Sequence, residues 1–165
     1  MKIKLLVLDV DGCMSDGKIT YTSSGDEIKS FNVKDGLAIA SWIRLGGKVA
    51  IITGRKSTIV ERRANELNIN YIYQNIKDKK SKLDEILKIE NLQLAQIASI
   101  GDDLNDYAML KNSGWSFSPQ NGVDDITNMV DTVLDKSGGE GAVRQMIEMI
   151  IRKNGNYEEF LKLWY

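Results

Sequence analysis

The chain has 165 residues, with 22 Lys+Arg against 23 Asp+Glu, for a formal net charge of −1. At 42% hydrophobic and 27% charged it resembles an ordinary globular domain, and its near-neutral balance argues against a nucleic-acid partner. It has no histidine and one cysteine, Cys13, which excludes Ser-His-Asp triads, histidine-ligated zinc, thiolate clusters and an intrachain disulfide. Chemistry is left to carboxylates, lysine, arginine, hydroxyls and bound metal.

Short apolar runs alternate with helical patterns, which predicts a parallel α/β sheet flanked by helices. The strands are expected at Ile3–Leu8, Lys48–Thr53, Tyr71–Tyr73, Ile97–Ile100 and Trp115–Ser118. The first is apolar without alternation, as a strand covered on both faces should be. Between Lys18 and Phe31 the rhythm breaks: Ile19-Thr20-Tyr21-Thr22 alternates, Ser23-Ser24-Gly25-Asp26 turns, and Ile28 and Phe31 return, which predicts a projecting β-hairpin. Helices are expected at Asp35–Leu45, ending at Gly46-Gly47, and at Thr58–Leu67, with Ser57 as N-cap. Further helices follow at Lys79–Ile89, Leu104–Asn112, Gly141–Arg152 and Tyr157–Trp164.

One domain over 1–165 is expected at roughly 100–200 residues per domain, with a tail from about 154. No apolar stretch reaches the ~20 residues that span a bilayer. The run Ile3–Val10 contains Lys4 and ends in acids, too short and too charged for a signal peptide. A cytoplasmic protein with no membrane partner is expected.

In open α/β sheets, ligands bind beyond the carboxyl ends of the strands. Here those ends carry Asp9-Val10-Asp11-Gly12, Thr53-Gly54-Arg55 and Gly101-Asp102-Asp103-Leu104-Asn105-Asp106, while Lys79 opens a helix after the Tyr71–Tyr73 strand. Carboxylates gathered at one edge repel unless a cation joins them, and oxygen-only donors favour a hard ion such as Mg²⁺. Such an ion completes its shell with water and phosphate oxygens, and a free aspartate can attack phosphorus.

At these residues the chain resembles the haloacid dehalogenase-like phosphohydrolases: Asp9–Gly12, Thr53, Lys79 and Asp102-Asp103 with Asp106 match the four motifs in order. The resemblance implies a Rossmann-like sheet. It makes Asp9 the nucleophile and Asp11 the general acid/base. Magnesium would lie on Asp9, Asp102 and the main-chain carbonyl of Asp11. Thr53 and Lys79 would bind the phosphoryl group, and Asp103 and Asp106 would orient Lys79 or metal-bound water. No cap domain fits between Asp11 and Thr53 or between Thr53 and Lys79.

The finer resemblance is to the capless phosphatases of 3-deoxy-D-manno-octulosonate 8-phosphate. It is carried by Asp9–Gly17, Phe31–Gly36, Ile51–Arg55, Tyr73–Lys79, Gly101–Asp106 and Gly138–Arg144. It implies a sugar-acid phosphate substrate and lipopolysaccharide sugar synthesis. It also implies a homotetramer built around the hairpin, in which a C-terminal segment can reach a neighbour's pocket. Gly54 and Arg55 become substrate-binding candidates, as does Arg144, the last in a neighbour. Relatives acting on nine-carbon ulosonate 9-phosphates tend to carry an acid after Thr-Gly, so Arg55 points to the eight-carbon substrate. Cys13 and Asn75 depart from the family's usual aliphatic residue and glycine. Lys34 and Asp35 follow the hairpin and are further candidates to approach the site, and Gly138–Gly141 is either a mobile loop near the site or a plain turn. Two other readings stay open: a receiver-like module with an aspartate phosphoacceptor, whose motif order fits poorly, and an oligomerisation module that has lost catalysis.

Overall fold

The computed structural model describes residues 1–165. Its main sheet has six parallel strands in the order β5-β4-β1-β6-β7-β8. These are β1 Leu5–Leu8, β4 Lys48–Ile52, β5 Tyr71–Tyr73, β6 Ile97–Ile100, β7 Trp115–Ser118 and β8 Thr132–Val133. Every residue of β1 and β6 is buried: β1 is apolar throughout, and in β6 the one polar side chain, Ser99, bonds Ser113 Oγ at 2.6 Å. β8 was not anticipated, because two residues carry no periodicity.

Helices α1 Val33–Arg44, α6 Ala142–Asn154 and α7 Tyr157–Lys162 cover one face, with α2 Thr58–Glu66. The core there joins Leu6, Leu8, Val49 and Ile51 to Ala38, Ile39, Met146, Ile150 and Phe160. Helices α3 Lys79–Glu90 and α4 Tyr107–Lys111 cover the other, where Leu5, Val7, Ala50 and Ile52 meet Leu83, Ile86 and Met109. The alternate residues of β1 and β4 thus feed opposite cores, the period-2 consequence of a strand buried twice. A short α5, Asp124–Thr127, precedes β8.

The hairpin is confirmed, with β2 Thr20–Tyr21 antiparallel to β3 Glu27–Ile28 and Gly25 at φ +90° in the turn. Ile19, Tyr21 and Ile28 are exposed on it.

Three local expectations change. Leu104–Asn112 is not one helix: a 3₁₀ turn at Leu104–Asp106 precedes α4, because Asp103 and Asp106 cap it reciprocally. Ser57 precedes α2 but does not cap it; its hydroxyl donates to Glu27 instead, at 2.6 Å. Trp164 lies beyond α7 and turns back on its own chain. Its indole N–H donates to Ser41 Oγ at 3.2 Å, and the Arg44 guanidinium sits over its ring. Ser41 and Arg44 lie toward the end of α1 that leads into β4, so this tail packs away from the strands' carboxyl ends.

No helix is long and apolar enough to cross a membrane.

Candidate active site

The chain runs from β1 outward to β4 and β5, then crosses back to β6, β7 and β8 on the other side. The crevice lies where that order reverses, beyond the carboxyl end of β1. Leu8 is in register with Ile51 and Ile100, so Asp9, Ile52-Thr53 and Gly101-Asp102 leave the sheet side by side. The Asp9 N–H donates to Ile100 O at 3.2 Å, extending the ladder one residue past the strand.

Beyond Asp9 the backbone turns sharply through Val10–Met14, closed by Ser15 N–H donating to Val10 O at 3.0 Å. Gly12 takes φ +101°, and a Cβ there would lie 2.0 Å from Asp102 Oδ2, so only glycine admits that carboxylate beside the loop. Gly138 braces the loop from behind: a Cβ on it would lie 1.7 Å from Gly12 O. Gly139 N–H donates to Cys13 O at 3.0 Å. The glycine run is therefore a built support for the Val10–Met14 loop, not a plain turn. Asn75, where glycine is usual, takes φ +58°, a left-handed conformation that asparagine tolerates.

Lys79 is buried and bridges Asp9, at 2.6 Å, and Asp106. The other Asp106 oxygen accepts from the N–H groups of Asp102, at 3.1 Å, and Asp103, at 3.4 Å. The expectation that Asp103 and Asp106 share a role is thus divided. Asp106 turns inward to orient Lys79, while Asp103 is exposed and accepts from Leu104 N–H at 2.7 Å.

Burial, then repulsion from Asp106, pushes Asp9 up to about 8 against the pull of Lys79. Burial, then Asp106 and Asp103, lifts Asp102 to about 6. Burial opposes the Lys79 ammonium, but Asp9 and Asp106 outweigh it and hold its pKa above the ordinary value. Three carboxylates face one ammonium, so a second cation would relieve the repulsion among them.

The donor set fits such a cation. Asp9, Asp102 and Cys13 offer ligand atoms within 4.8 Å of one another. The Cys13 thiol, raised by burial and by Asp9, donates to Asp102 Oδ1 at 3.7 Å. It stays protonated as a small buried filler, which leaves carboxylate oxygens suited to a hard divalent ion.

Asp9, Asp11, Thr53, Gly54, Arg55, Asp102 and Asp103 line one crevice of about 320 Å³, together with Asn105 and Ile19. Asn105, within the Gly101–Asp106 stretch, was not singled out. Glu27 and Lys29 were also missed. The Lys29 side chain is enclosed and bonds Asp11, while Arg55 Nε lies 3.8 Å from the other Asp11 oxygen. The i, i+2 spacing of Glu27 and Lys29 on the returning arm of the hairpin was the available signal, since extended backbone turns both side chains to one face.

Arg144 does not join this crevice. Its guanidinium bonds Glu148 and covers the Phe160 ring, so within the chain it does not line the crevice. Asp35 is buried, with Oδ1 accepting from Arg144 N–H at 2.7 Å, and burial raises it to about 6. It caps the first turn of α6. Neither it nor the exposed Lys34 lines the crevice.

Acids on the first and fourth motifs, a hydroxyl on the second and a buried lysine on the third, set around the switch point of a parallel sheet, define a haloacid dehalogenase-like hydrolase. A family described as haloacid dehalogenase-like hydrolase matches residues 71–147. The chain is 40% identical over 149 residues to the 3-deoxy-D-manno-octulosonate 8-phosphate phosphatase KdsC of Yersinia pestis, covering 90% of this chain and 80% of that one. It is 36% identical over 157 residues to the KdsC of Escherichia coli (strain K12), covering 95% and 84%. The crystal structure of the same phosphatase from Moraxella catarrhalis, in complex with magnesium ion, phosphate ion and KDO, superposes with a TM-score of 0.95 at 40% identity, over 99% of this chain and 94% of that one. The cobalt-bound phosphatase from Haemophilus influenzae gives 0.89 at 36% identity, over 93% and 90%. The chain belongs to the KdsC family of haloacid dehalogenase-like phosphatases.

Proposed function

We infer that this protein is a magnesium-dependent phosphatase that releases phosphate from 3-deoxy-D-manno-octulosonate 8-phosphate through an aspartyl-phosphate on Asp9. The observation that carries this reading is the Asp9–Lys79 pair at 2.6 Å, beside Asp102 and at the floor of a crevice that Thr53 and Arg55 line. Asp9, Asp102 and the Asp11 main-chain carbonyl would hold the ion, which when bound neutralises the acids and polarises phosphoryl oxygens.

The remaining steps belong to the chain's own side chains. Lys79 gives two donors to Asp9 and Asp106 and keeps the third for a phosphoryl oxygen, with Thr53 beside it. The Asp9 carboxylate attacks phosphorus: an Asp9 oxygen–phosphorus bond forms while the bond to the sugar oxygen breaks. Asp11 protonates that leaving oxygen. Asp11, now a carboxylate, takes a proton from water. The water oxygen bonds phosphorus, the Asp9–phosphorus bond breaks, and orthophosphate leaves. Arg55 offers its planar fork to the sugar-acid carboxylate.

Phosphate release from the eight-carbon 8-phosphate is expected at a kcat/KM at least about tenfold above that for nine-carbon ulosonate 9-phosphates, and it should stop on chelation. A preference for the nine-carbon series would reassign the substrate. No release from either would remove the enzymatic reading in favour of a non-catalytic module.

Four copies of the chain are proposed to associate through the hairpins. Ile19, Tyr21 and Ile28 stand exposed there, and Ile19 also lines the crevice, so a neighbour seated on the hairpin would help cover the site. Sedimentation should give a tetramer mass that Ile28→Glu lowers; a monomer at micromolar concentration would refute this. On this reading the reaction belongs to lipopolysaccharide sugar synthesis in the cytoplasm.

A further inference from the structure

We propose that Glu27, on the hairpin, is the positioning residue that aims Arg55 into the crevice and so governs recognition of the substrate's carboxylate end. The inference rests on the reading of Arg55 as the group that binds that carboxylate.

Both carboxylate oxygens of Glu27 are engaged. Oε1 accepts from Arg55 Nη2 at 3.1 Å and has Lys29 Nζ 3.6 Å away, while Oε2 accepts from Ser57 Oγ at 2.6 Å. Ser57 directly precedes α2, and its own N–H donates to Gln74 Oε1 at 2.7 Å, so Glu27 is moored to the body of the fold. The Ser57 hydroxyl, followed by the two cations, holds the Glu27 carboxyl below the ordinary glutamate value against its burial, so it is charged when it meets Arg55.

Arg55 needs this mooring. Its side chain is 46% exposed, on the loop that follows β4, and its only other acidic neighbour is Asp11, 3.8 Å from Nε. Tyr21, paired with Glu27 across the hairpin, and Glu27 itself both favour the charged guanidinium. Without Glu27, both Arg55 and Lys29 have Asp11 as their remaining acid. The guanidinium then either folds onto Asp11 or swings into solvent, and in either case leaves the position from which its fork meets a carboxylate. Glu27 does not line the crevice, and it acts through Arg55.

A purely structural role, stapling the hairpin to α2, makes a different prediction: every kinetic constant would degrade together. The measurement is steady-state kinetics of the magnesium-loaded full chain with 3-deoxy-D-manno-octulosonate 8-phosphate, together with the competitive inhibition constant of orthophosphate, which needs the phosphoryl site but not Arg55. Glu27→Gln should raise KM about tenfold, the loss expected for one charged hydrogen bond. It should leave kcat and the orthophosphate constant within about threefold. Glu27→Asp, which keeps the charge but withdraws it by one methylene, should recover part of the KM. In an Arg55→Ala background, Glu27→Gln should add less than about twofold, because residues acting through one contact are not additive.

An unchanged KM, an equal loss in the orthophosphate constant, or effects that multiply in the double variant would each overturn the proposal. If Glu27→Gln does not fold, Ser57→Ala carries the test by loosening the mooring alone, with a KM rise of about threefold expected and no rise refuting it. A wild-type chain that released no phosphate from this substrate would instead refute the functional reading beneath it.

Discussion

Asp9→Asn should lower phosphate release by roughly 10⁴-fold or more while leaving the fold intact. On the proposed mechanism the amide cannot form the covalent phosphoryl intermediate, and no second side chain stands in its place: Asp102 lies across the Gly12 notch, and Asp11 serves as the general acid/base. Stability should move the other way. Asp9 is buried among Asp106 and Asp102 and pushed up to about 8, so a neutral isostere relieves repulsion without emptying volume, and its carbonyl can still accept from Lys79. An unchanged or higher melting temperature together with lost turnover separates chemistry from unfolding. Substantial turnover by protein whose mass shows no deamidation would remove Asp9 as nucleophile.

Lys79→Ala should damage both activity and folding. Lys79 is fully enclosed and is the ammonium shared by Asp9 and Asp106. Removing one partner of a buried ion pair costs about 3–5 kcal/mol, which in a chain of this size lowers the melting temperature by on the order of 10 °C. Loss of its donor to the phosphoryl group should slow turnover by about 10²–10³-fold.

The stability deficit should depend on pH. In the folded chain Asp9 is raised from 3.8 to about 8, so the folded state holds a proton that the unfolded state releases. Stability from that proton is present at acid pH and is lost as pH rises from about 4 to about 8. Without Lys79 nothing opposes the upward shift, so the deficit should be smaller near pH 5 than near pH 8 in metal-free protein. Magnesium, which replaces the proton, should stabilise the wild type more near pH 8. Melting curves at the two pH values check this, and a deficit that is equal at both, or larger in acid, would contradict it.

The sequence by itself determined five of the sheet's six strands, the hairpin and the groups that match the four motifs. Runs such as Leu5–Leu8 and Lys48–Ile52 can be buried on both faces only in a covered parallel sheet, and in such a sheet Asp9, Thr53 and Asp102 emerge at one edge whatever the details of packing. Only the tertiary structure decided which charges pair. Asp106 rather than Asp103 meets Lys79 because a reciprocally capped 3₁₀ turn points one inward and the other to solvent. Glu27 meets Arg55 and Ser57 because the hairpin folds over the end of β4, a contact between residues 28 and 30 positions apart that no local period encodes. Arg144 and Trp164 were drawn away from the crevice for the same reason: the side chains that satisfy them, Glu148, Phe160, Ser41 and Arg44, become neighbours through the packing of α1, α6 and α7. Periodicity reports which face a residue takes, whereas the partner on that face is set by long-range packing and by the cost of leaving a buried charge alone.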